Sequence, residues 1–134
     1  MANEAVLKVE THLPVNFTCS TLVTIEKGAI CKMTDPMTAV LSDSANQLVA
    51  GIVQSEKLAA DTTQTSVALY RGGIFRVTCS GSCDVGEPVV TGATANYVRQ
   101  AAADEENIIG IMLEAGTEGQ SKLMELKPAK FSLS

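Results

Sequence analysis

Few residues in this chain are suited to chemistry, and the most suggestive are two cysteines. In "CSGSC", Cys79 and Cys83 flank three small residues. Two thiolates at that spacing can contribute to a metal site, but structural zinc takes four ligands. The other two cysteines, Cys19 and Cys31, sit inside apolar patterns, where a free thiol behaves as a small core residue. Four cysteines in 134 residues do not make a disulfide scaffold, so reduced thiols are expected. A Cys79–Cys83 disulfide is the alternative in an oxidising medium.

Other candidates are weaker. His12 is the only histidine and lies close to Pro14, so a nucleophile paired with it would depend on a poorly anchored segment. A surface histidine is the simpler expectation. In "ICKMTD" Lys32 stands beside Met33, as in the lysine hairpin of biotin- and lipoate-carrying domains. Such a lysine needs an exposed turn, and the turn signal here, Lys27-Gly28, comes earlier. "RGG" at 71–73 occurs once, as a turn between strands rather than a repeated RNA-binding tract. The acidic stretches "SDSAN" (42–46) and "AADEEN" (102–107) lack the alternating oxygen ligands and glycine of a calcium loop. No glycine-rich phosphate cradle precedes a helix. The chain is expected to be no enzyme, and to need no metal and no cofactor.

Composition points the same way. Aromatic residues are 4% of the chain, tryptophan is absent and the formal net charge is -5. Stacking platforms and clustered cations, which nucleic acids require, are both missing, so no nucleic-acid partner is expected. Glu4 and Glu10 interrupt the N-terminal stretch where a secretory signal needs a basic segment and an apolar run. No window approaches the roughly 20 apolar residues of a membrane span. Synthesis in a cytoplasm and no membrane partner are the expectations.

The elements that must position these residues are strands. "STLVTIEKGAICKM" carries β-branched and apolar residues on both sides of a turn signal at Lys27-Gly28. "TSVALYRGGIFRVTCSGSC" predicts two strands with Gly72-Gly73 as a turn or bulge between them. "DVGEPVVTG" predicts a turn and a short buried strand, with Pro88 at its first position. "NIIGIMLEAG" and "KLMELKP" follow as further strands. Helical spacing is weak, so "DSANQLVAG" (43–51) and "QAAADEEN" (100–107) allow at most short helices.

The chain also repeats itself. "AGIVQSE" (50–56) returns as "IGIMLEA" (109–115), and "EKGAIC" (26–31) returns as "DVGEPVV" (84–90). Gly28 precedes Gly86 by 58 positions, and Gly51 precedes Gly110 by 59. A shared offset at two separated places predicts two copies of one β unit, about 26–69 and 84–126. Neither unit buries its apolar face alone, so together they are expected to form a small barrel or sandwich. The fold expected is all-β, with a core over 21–128, an N-terminal extended arm over 1–20 and a C-terminal tail over 129–134. In the arm, Val6, Val9, Leu13, Val15 and Phe17 alternate loosely with polar residues. It is either an additional edge strand or a segment that pairs with a partner's sheet.

The series "EKGAIC", "LVAGIVQSEK", "SVALYRGGIFRV", "DVGEPVVTGATANYV", "NIIGIMLEAG" and "LMELKP" resembles the small β-barrel cement, or head decoration, proteins of tailed bacteriophages. The resemblance spans about residues 22–128 and rests on short glycine-anchored motifs. It implies a virion protein on the capsid exterior, commonly a homotrimer, that clamps major capsid protein subunits and stabilises the shell. The capsid contact is then expected at the arm, through Val6, Val9, Leu13, Val15 and Phe17. An oligomer contact is expected at Tyr70 and Phe75, because aromatic side chains favour interface centres. Another virion module, such as a tail or head-fibre base domain, is one alternative. A cellular small-molecule-binding or carrier barrel is the other.

Overall fold

The fold was described from a computed structural model, over residues 3–102 and 107–130. These residues form strands and turns, with no helix among them. The strands are β1 (Val6–Val9), β2 (Val15–Thr18), β3 (Ile30–Asp35), β4 (Thr38–Leu41), β5 (Val49–Val53), β6 (Ser66–Tyr70), β7 (Gly73–Cys79), β8 (Pro88–Thr91), β9 (Tyr97–Gln100), β10 (Asn107–Met112) and β11 (Ser121–Lys130).

Each β unit closes a barrel of its own. The first runs β2-β4-β3-β5-β6, and the second runs β7-β11-β10-β8-β9 with β7 pairing back to β9. The two rings have one topology. In each, the first strand pairs antiparallel with the last and parallel with the third: Thr18 faces Thr38, and Thr78 faces Tyr97. Closing a small ring leaves no unpaired strand within it, which removes the edges an open sheet must protect.

The equivalence extends to single hydrogen bonds. Gly28 N donates to Val53 O at 2.9 Å, and Gly86 N donates to Met112 O at 2.8 Å. Cys19 N donates to Thr65 O and Cys79 N to Gln120 O, both at 2.9 Å. Gly28 and Gly86 share a left-handed backbone, with φ of 85° and 81°, which a side chain would strain. Gly51 and Gly110 are needed for another reason. A Cβ at Gly51 would land on the Tyr70 carbonyl, and one at Gly110 on the Glu125 carbonyl. The glycine offsets of the sequence therefore mark turns and close strand crossings at equivalent places.

Several expectations change in detail. The repeat begins earlier than residue 26, because β2 is a stave of the first barrel and the counterpart of β7. "FTCS" (17–20) and "VTCS" (77–80) end these two strands. The arm expected over 1–20 therefore divides: β1 lies outside both rings and pairs with β7, while Phe17 is buried inside the first barrel with Val67 and Leu69. β6 and β7, expected with a turn or bulge at Gly72-Gly73 between them, do not pair with each other. They belong to different rings, and Arg71-Gly72 between them is the crossover. Of the stretch 43–51, residues 43–48 are a loop and 49–51 already belong to β5, and 103–106, within the other helix candidate, lies outside the described residues. Ala129 and Lys130, expected in the tail, end β11, and 131–134 lie outside the described residues.

The core has two parts. One fills the first barrel with Phe17, Cys31, Ala50, Val53 and Leu69 among others. The other fills the second barrel and continues to Ile30, Val49, Ile52 and Tyr70 of the first, so it also joins the two. β5 is buried on both faces, which is why "VAGIV" is an unbroken apolar run rather than an alternating one. Burying a side chain the size of Ile52 contributes about 1.5–3 kcal/mol.

Candidate interaction surfaces

The cysteines are buried and unpaired by disulfides. Cys83 and Cys79 hydrogen-bond through their thiols, and burial, aided by the neighbouring Cys79, pushes Cys83 up to about 12. Burial likewise pushes Cys31 up to about 12. Thiols held protonated in this way are poor nucleophiles at neutral pH. Among the described residues no three His, Cys, Asp or Glu side chains gather into a metal site. His12 is exposed, its Nδ1 within 2.8 Å of Thr11 Oγ1, and its ring fills the space a side chain at Gly72 would need. Lys32 lies within β3, not at a hairpin tip, and pairs with Asp43 at 3.0 Å.

The N-terminal segment staples the two barrels together. Ala5 N donates to Gly28 O of the first barrel at 2.8 Å, and β1 then pairs with β7 of the second. Leu7 packs inward against the second core, and Tyr70 Oη donates to Glu10 Oε2 at 2.8 Å. That hydrogen bond to a carboxylate raises the Tyr70 phenol above its ordinary value. The outward side is apolar: Val6 is 52% exposed, Val9 49% and Leu13 81%, with Val15 also exposed. Four of the five arm candidates are thus accessible and Phe17 is not. A groove of about 500 Å³ runs beside β1, with Val6, Leu7, Val53 and Phe75 against it and Glu4, Lys27 and Tyr70 as its ionisable lining.

Tyr70 and Phe75 are core residues. Their rings meet edge to face, with centroids 5.7 Å apart, and both belong to the cluster that joins the barrels. Both are buried within the chain, Tyr70 at 7% exposure and Phe75 at 1%, which corrects the expectation of an oligomer contact centred on them.

A feature that sequence reasoning misses lies at one end of the first barrel. Lys57 is fully buried. Its ammonium donates to the carbonyls of Thr21, Val23 and Leu58, each at 3.1 Å, so all three N–H groups are used. Main-chain bonds between Ile25 and Lys57, both 2.8 Å, and Ala59 N to Thr24 Oγ1 at 2.9 Å complete the tie between the two loops. Over this knot Leu22 is 75% exposed, Leu58 52%, and Val23 is exposed beside them. In the second barrel Gly116 makes the matching bridge with Cys83. There the space for a side chain is taken by Cys79 Sγ and the Lys122 stem. The signal was present in the repeat: "QSEKLA" aligns with "LEAGTE", placing a lysine where its counterpart is glycine.

No family model and no curated protein matches the sequence. Among solved structures, the N-terminal base of the head fibre gp8.5 of bacteriophage phi29 is similar in fold. The match has a TM-score of 0.57 and 17% identity, and covers 90% of this chain and all of that one.

Proposed function

We propose that this chain is a structural part of a bacteriophage virion: a capsid decoration protein that binds the outside of the assembled head and stabilises the shell. Its partner in this reading is the major capsid protein, and its job is contact, with no reaction, cofactor, nucleic acid or membrane involved. The contact runs through the outward side of the N-terminal segment, Val6, Val9, Leu13 and Val15. An exposed edge strand with apolar side chains is suited to main-chain pairing with a neighbouring sheet. A homotrimer on the shell goes with the reading, its contact lying elsewhere than Tyr70 and Phe75.

The observation that carries the proposal is the likeness to a head-fibre base over the whole of that domain. It favours equally a second reading, in which this chain is itself the base of a head fibre. Counting copies per purified particle separates them, since decoration scales with the shell lattice and a fibre base with the number of fibres. Attachment is tested by mixing the chain with purified heads that lack it and sedimenting the heads. Wild type is expected to co-sediment, and the Val6→Asp/Val9→Asp variant to remain in the supernatant while keeping its fold. A variant that decorates heads as fully as wild type would contradict the assignment to β1.

A further inference from the structure

We propose that the apolar tip of the first barrel, Leu22, Val23 and Leu58 held over the buried Lys57, is a second contact surface. It docks into an apolar cleft with a cationic rim on the shell protein. The inference rests on the virion reading above and adds a site that reading does not use.

The two barrels act as internal controls for each other. Both close the same end with the same backbone bridge, Ile25 to Lys57 in one and Cys83 to Gly116 in the other. The second does so without a buried charge, so the fold itself does not require the lysine. Removing an ammonium from water is costly unless every donor is satisfied. Here three loop carbonyls satisfy it, and they belong to the two loops that display Leu22, Val23 and Leu58. The loop after β2 is also longer than its counterpart. Between Ser20 and Ile25 it carries Thr21, Leu22, Val23 and Thr24, whereas Ser80 and Cys83 are separated by Gly81 and Ser82 alone. The residue matching Leu58 is Thr117. The first tip is thus apolar and pinned, and the second is polar at the same positions. Pinning loops in advance lowers the ordering cost of association, which favours a preformed contact.

Charge selects the occupant. Glu56 and Asp61 are exposed on either side of Lys57 and Leu58, and the only cation in this turn is the one buried beneath it. Asp61 is held in place by accepting from Thr63 and Gln64, and those bonds lower it below the usual carboxylate range. A second copy meeting tip to tip would set carboxylates against carboxylates. A surface with an apolar centre and lysine or arginine at its rim fits instead.

The test uses the full chain and purified heads lacking it as the probe. The Leu22→Asp/Leu58→Asp variant alters exposed side chains only and should fold. It is expected to bind heads about tenfold more weakly or worse, with an unchanged melting temperature. Glu56→Gln should weaken binding less and flatten its dependence on salt. Binding of the double variant at wild-type strength, with wild type itself bound, overturns the tip proposal and leaves the virion reading standing. Failure of wild type to bind overturns both. Self-association of free wild type that the double variant abolishes, read by sedimentation velocity, would give the surface to a second copy and also overturn the proposal.

Discussion

The two barrels share one topology but treat their surroundings differently. The second has an added strand, β1, along β7, and a tip closed by a glycine over two cysteines. Among the described residues the first has no added strand along β2. At the place matching Ile74, which pairs with Val9, it carries Pro14, which has no N–H to offer another strand. Its tip is closed by a lysine under an apolar surface. What is repeated is the closure of the rings, and what differs is what each ring shows to its neighbours. The shared hydrogen-bond frame leaves the strand edge and the tip of each ring able to differ.

The strongest way to break this comparison is at the strand crossings. Gly51→Ala and Gly110→Ala each push a methyl into a backbone carbonyl, and each should cost about 3 kcal/mol. Denaturant midpoints measure both. Losses of similar size support equivalent crossings, and a large loss at one with none at the other would break the parallel. Next comes the lysine difference. Lys57→Met strands three carbonyls and should cost about 2 kcal/mol. Lys122→Met, in the other barrel and only half-buried, should change stability by less than about 0.5 kcal/mol. Equal effects would mean that the two tips are built alike after all.

A pH series sharpens the likeness of the two cores. Each contains one thiol pushed by burial from 9.0 to about 12, Cys31 in the first and Cys83 in the second. The folded state favours the protonated thiol, so its contribution is complete below about pH 9 and is lost as pH rises toward 12. Alkaline unfolding followed by circular dichroism should move to higher pH in Cys31→Ala and in Cys83→Ala. An unchanged transition in either would count against that thiol's burial. The smallest effect is expected at β1, where Val6→Ser and Val9→Ser are exposed changes and should alter stability by less than about 0.5 kcal/mol. Their effect on head binding should be far larger than on folding.

Much of the fold was legible in the sequence because glycines cannot be replaced where backbones cross. Gly28, Gly86, Gly51 and Gly110 carry both the duplication and its spacing. Strand β2 was not legible, since Pro14 and interleaved polar residues hide a four-residue stave, and ring closure rests on the single pair Thr18–Thr38. "FTCS" and "VTCS" marked it, at a spacing slightly different from that of the glycines. Tyr70 and Phe75 resembled interface residues because a sequence does not distinguish an aromatic buried between two barrels from one on a surface. Lys57 was invisible for the opposite reason. A lysine is assigned to solvent by default, and only the fold brings three carbonyls to it.

Hydrogen–deuterium exchange of the chain, free and bound to purified heads, tests the division of labour between the barrels most directly. New protection is expected in the peptides spanning Val6–Val9, Thr21–Thr24 and Leu58–Asp61, with the second tip, Ser80–Ser82 and Thr117–Gly119, left unchanged. Protection confined to the second tip, with the N-terminal strand and the first tip exchanging as in the free chain, would contradict the account.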